Sequence, residues 1–93
     1  TEALRDAVAN QIIDELLSVA KAGDQTSALK LGKTYTNLLV APDYQSAYVW
    51  LSIAQAYGLE NASELLSQVA DELTLEEIFA QQEQATTMFS EIN

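Results

Sequence analysis

An all-helical fold of about five helices is predicted, and three observations predict it. Apolar residues recur at three- and four-residue steps along the chain and never alternate with period two for long, so no sheet is expected. Punctuation is sparse, with Gly 3 and Pro 1 in 93 residues, so little interrupts long helices. Gly23, Pro42 and Gly58 fall between the apolar stripes. At 48% apolar residues the chain has an ordinary globular composition, and its length suits a single domain that buries somewhat over ~60% of its unfolded surface.

The first helix is expected from about Ala3 to Ala22, with Leu4, Val8, Ile12, Leu16 and Val19 as its stripe. Gly23 ends it by taking a left-handed conformation, and Asp24 caps the next start. A second helix, about Gln25 to Leu38, puts Ala28, Leu31, Tyr35 and Leu38 on one side, with Gly32 leaving room for a close neighbour. Pro42 forbids continuation, and Asp43 offers an oxygen to the first amides of a third helix, about Tyr44 to Tyr57. Gly58 closes that helix. Asn61 and Glu64 have the spacing of a capping box for a fourth, bearing Ala62, Leu65, Leu66, Val69 and Leu73, and Thr74 with Glu77 repeats the device. The last helix, about Leu75 to Glu91, turns Ile78, Ala85, Phe89 and Ile92 inward, with Gln82 interrupting the stripe.

The run Ala28-Leu29-Lys30-Leu31-Gly32-Lys33-Thr34-Tyr35, followed by Asp43, Ala47, Trp50, Ala54, Gly58 and Ala62, resembles one Sel1-like repeat, a relative of the tetratricopeptide repeat. The resemblance covers residues 27–61. It makes residues 1–26 a degenerate preceding helix and residues 62–93 C-terminal capping helices, in which Leu73-Thr74 with Glu76, Ala80 and Gln81 resembles the segment that often follows a last repeat. It implies a right-handed α/α superhelix of helical hairpins. Ala28, Leu31, Gly32, Tyr35, Ala47, Trp50, Ala54, Gly58 and Ala62 are then scaffold: small residues where helices cross and large ones beside them, as stacked pairs require. The chain departs from the pattern at Leu38-Leu39-Val40-Ala41-Pro42, where the family has a Gly-x-Gly turn. This turn needs another geometry, and its apolar residues either tuck inward or form a small sticky edge.

Charge is uneven. The formal net charge is -10, the four cations Arg5, Lys21, Lys30 and Lys33 all lie in the first third, and no cation follows Lys33. Phosphate backbones and anionic lipid surfaces are repelled, so neither nucleic acid nor a membrane is an expected partner. No apolar run approaches the ~18 residues of a spanning helix. With His 0 and Cys 0, the commonest general base, the thiol nucleophile and the usual transition-metal ligands are missing. The pairs Asp71-Glu72 and Glu76-Glu77 point different ways on a helix and make poor acid–base couples. No enzyme activity, cofactor or metal site is expected. A start at Thr1 without Met reads as a trimmed chain or a mature product that has lost a leader, which leaves the cytoplasm, a bacterial periplasm and secretion all open.

The expected function is therefore non-enzymatic protein–protein interaction, as an adaptor or scaffold. The resemblance implies that the first helix of a pair lines the concave surface, where peptides or partner helices bind. Opposite Ala28, Leu31 and Tyr35, helical phase places Thr26, Lys30, Lys33 and Asn37, a candidate partner-binding face suited to an acidic segment or terminal carboxylate. The alternative is an acidic inhibitor or mimic that occupies a basic site on another protein, with Glu60, Glu64 and Asp71 on one outer face. A third possibility is the terminal cap of a longer repeat array. Weak self-association through Gln82, Met88 and Phe89 is also compatible with the sequence.

Overall fold

Helix boundaries follow the breakers closely. A computed structural model describes residues 1–92; Asn93, the last position of the predicted domain, lies outside the described residues. Five helices and no strand are formed among the described residues: α1 (Glu2–Lys21), α2 (Gln25–Asn37), α3 (Tyr44–Ala56), α4 (Ala62–Ala70) and α5 (Leu75–Ile92). Gly23 and Gly58 follow α1 and α3 with φ of 108° and 82°, the left-handed geometry that glycine adopts without a Cβ penalty.

The centre of the molecule is α3. Its Ala47, Tyr48, Val49, Trp50, Leu51, Ile53 and Ala54 are all buried, so it is apolar nearly all round, as a helix enclosed by others must be. Helices α2, α4 and α5 each pack against it, and α1 packs against α2. The radius of gyration is 12.5 Å, close to the roughly 12 Å of a globular chain this long. Gly32 sits at the α2–α3 crossing, where any Cβ would collide with the Leu51 side chain.

The first helix keeps Leu16 of the predicted stripe on the core but is otherwise turned away from it. Leu4, Val8 and Val19 are 63%, 50% and 45% exposed, whereas Ala9, Ile13 and Ala20 are buried, with Leu16 and Leu17 packed on the core. The two stripes lie about a third of a turn apart. Small Ala9 and Ala20 permit a close helix approach that the bulkier stripe does not.

Capping is partly as predicted. Asp43 accepts from the Ser46 amide at 3.1 Å and from its hydroxyl at 2.7 Å. The Thr74–Glu77 box is reciprocal: the Thr74 amide donates to Glu77 at 2.9 Å and the Glu77 amide donates to the Thr74 hydroxyl at 3.1 Å. Asp24 instead accepts from the Ser27 and Thr26 hydroxyls, at 2.7 and 3.1 Å. The Asn61–Glu64 box does not form. Asn61 takes φ 69° with no side-chain cap bond, because an N-cap needs extended backbone to aim its side chain at the helix amides. The fourth helix also ends at Ala70, short of Leu73, where the Glu72 and Leu73 amides donate to the carbonyls three residues back, at 3.0 and 3.1 Å.

The turn that lacks Gly-x-Gly is held from outside. Arg5 donates through Nε to the Leu38 carbonyl at 2.9 Å and through Nη2 to the Asn37 carbonyl at 3.2 Å, a cation on the free carbonyls of a helix end. The Val40 amide donates to Asp6 at 2.9 Å, and the Asp43 amide to the Tyr35 carbonyl at 2.9 Å. Leu39 packs against the core and Val40 stays 36% exposed. Met88 and Phe89 are half-buried, packed against the core.

Candidate functional site

Because α2 and α4 both lean on α3 without packing closely on each other, a groove of about 250 Å³ opens between them. From α2 come Gly32, Lys33, Thr36 and Asn37; α4 contributes Leu65, Gln68 and Val69, with Glu72 just beyond its end; Leu51 and Tyr44 of α3 complete it. Helical geometry assembles the first wall, since Lys33, Thr36 and Asn37 stand at i, i+3 and i+4. Its polar character is set locally. Thr36 turns its hydroxyl back onto the Gly32 and Lys33 carbonyls, at 3.1 and 3.0 Å, leaving Lys33 and Asn37 as the projecting groups.

One charge of each sign lines the groove, Lys33 from α2 and Glu72 from beyond α4. They form no ion pair among the described residues. The remaining donors and acceptors are neutral amides, a hydroxyl and a phenol. Such a surface can hydrogen-bond an extended backbone while a charged side chain settles its direction.

The predicted face Thr26, Lys30, Lys33 and Asn37 is divided by the structure. Lys33 and Asn37 line the groove; Thr26 and Lys30 do not, although all four are exposed. Thr26 is occupied with Asp24 at 3.1 Å. The Asp24 carboxyl lies below its ordinary range, chiefly through the Ser27 hydroxyl and then Thr26, with the Lys30 charge as the smallest contribution. With only nine residues, α4 is too short to wall the whole length of α2. Thr36, Tyr44, Gln68 and Glu72 are the residues that sequence reasoning missed. Thr36 was recoverable from its i+3 relation to Lys33, but no local signal shows which α4 side chains come opposite.

Of the residues predicted as scaffold, Ala28, Leu31, Ala47, Trp50, Ala54 and Ala62 are buried, and Trp50 at 3% exposure cannot stack on a ligand. Tyr35 is half-buried, and its phenol is pushed up by burial and by the charges of Asp43 and Asp14. Among the described residues no cluster of His, Cys, Asp or Glu has the makings of a metal site, and no helix is long and apolar enough to cross a membrane. Compared with models of protein families, with characterised proteins and with solved structures, the chain finds no match.

Proposed function

We propose that this chain is a non-enzymatic recognition module of the Sel1-like, tetratricopeptide-related type, its hairpins arranged as a right-handed superhelix. It holds a segment of a partner protein in the groove between α2 and α4. The observation that carries this reading is the groove itself: two residues of the face chosen by helical phase, Lys33 and Asn37, line a cleft beside the one glycine crossing that the repeat pattern demands. The occupant is an extended peptide with an acidic group near Lys33. Asn37 and Gln68 offer amides to its backbone, as peptide-recognition grooves commonly do.

The test selects peptides from a random display library against the full chain and titrates the best into isotope-labelled protein. Amide shifts at Lys33, Asn37, Gln68 and Glu72 are expected, with binding that persists at high salt, where screening shortens to a few ångströms. Undiminished affinity in a Lys30→Glu, Lys33→Glu double variant, or shifts that avoid the groove, refutes the assignment.

A further inference from the structure

Two exposed apolar side chains open α5, Leu75 at 71% and Phe79 at 63%. Neither belongs to the face packed on α3, which carries Ile78, Ala85, Met88 and Ile92. Leu75, Phe79, Gln82 and Thr86 are spaced four, three and four residues apart, the seam spacing by which one helix lies along another. The seam runs from this apolar pair onto a second groove. That groove holds about 430 Å³ and is lined mainly by α3 and α5, with Tyr48 and Ile53 from the first, Gln82 and Thr86 from the second, and Leu66 from α4. Gln82 is pinned there, donating to the Tyr48 hydroxyl at 3.2 Å.

On the seam's solvent side stand Glu76 and Glu83, each one residue after a seam position, which are the places that set partner choice between paired helices. On its other side lie Ile78 and Ala85, turned to the core. We propose that this face of α5 docks an amphipathic helix of another protein. That helix carries apolar side chains over Leu75 and Phe79 and lysine or arginine opposite Glu76 and Glu83. A second copy of the chain is disfavoured as the occupant, because it brings its own -10 charge and like charges across a seam repel. The α2–α4 groove is a separate surface, and the proposal stands whether or not that groove binds peptide.

The probe is a synthetic 21-residue helix with leucine at the seam positions and lysine on the facing flank, alongside a scrambled peptide of identical composition and a glutamate-flanked version. The ordered basic helix is expected to shift amides of α5 from Leu75 to Thr86 and of Gln55 and Leu66, which line the same groove, leaving Lys33 and Asn37 unmoved. Phe79→Ser should weaken it by about tenfold or more, as loss of an apolar anchor does, while the exposure of Phe79 keeps the helix signal unchanged. A Glu76→Lys, Glu83→Lys variant should exchange its preference to the glutamate-flanked helix. Equal binding of the scrambled peptide, indifference to Phe79→Ser, or failure of the exchange overturns the proposal. Sedimentation of the protein alone completes the test: a dimer abolished by Phe79→Ser makes the second copy the occupant and overturns it as well.

Discussion

Replacing Gly32 by alanine sets two known effects against each other at one position. In a helix interior alanine is favoured over glycine by about 0.8–1.0 kcal/mol. Against this, the new methyl collides with the Cγ and Cδ2 atoms of Leu51. Leu51 is 1% exposed and packed with Ala47, Tyr48 and Val69, so moving it towards the groove it borders gives up contacts on that side. Relief requires an off-rotamer leucine or a shift of α2 from α3, at about 1–3 kcal/mol, with the depth of the overlap favouring the upper end. The net expectation is a loss of about 1–2 kcal/mol, or a fall in Tm of roughly 4–16 °C for a domain this small. Leu51→Ala alone should lose about 2–5 kcal/mol by leaving a cavity. In the double variant the added methyl enters the vacated space, so the combined loss falls short of the sum by about 1 kcal/mol or more. Urea unfolding followed by far-ultraviolet circular dichroism measures all three. A Gly32→Ala protein as stable as its parent, or strict additivity with Leu51→Ala, would refute the close-crossing argument.

Tyr57 packs its ring edge-on against Phe89, with centroids 5.2 Å apart, yet its buried hydroxyl has no hydrogen-bond partner among the described residues. Tyr57→Phe keeps the ring and removes the unmet group, so stability should hold or rise by up to about 1 kcal/mol in thermal unfolding; a clear loss would show that the hydroxyl is satisfied. Arg5→Ala strips two carbonyls at the end of α2 of their donor and should cost about 1 kcal/mol given its exposure, with faster amide exchange at Val40; unchanged exchange there would mean that the latch contributes nothing. Thr74, through its backbone amide first and its hydroxyl second, holds the Glu77 carboxyl below its ordinary 4.5, with Gln45 assisting. A carboxyl lowered in the folded state stabilises fully above its unfolded value and loses that contribution as pH falls through the lowered one. The Tm advantage of the parent over Glu77→Gln should therefore be constant near neutrality and shrink below pH 4.5; an advantage that stays constant into acid would refute the linkage.

Local chemistry was legible in the sequence wherever the cause lies within a few residues. Glycines 23 and 58, Pro42, the Asp43 cap and the Thr74–Glu77 box mark the ends of helices, because each acts on backbone groups one to four positions away. Gly32 was readable as a close-approach position, and Lys33 and Asn37 as one helical face, since helical phase needs no partner. Where two local solutions compete, the sequence was mute or misleading. Asn61 has a capping residue's side chain yet takes the left-handed conformation, and Asp24 spends its carboxylate on neighbouring hydroxyls.

Only tertiary packing decided the rest. Two apolar stripes wind around α1, and periodicity favours the bulkier; packing on α2 selects the one with Ala9 and Ala20, because the distance between two helices is set by both surfaces together. The wall opposite Lys33 comes from α4, more than thirty residues further along the chain, and the exposure of Leu75 and Phe79 depends on which side of α5 meets α3. A single sequence fixes the phase of each helix about its own axis, whereas the rotation of one helix against another emerges only from the sum of contacts across the core.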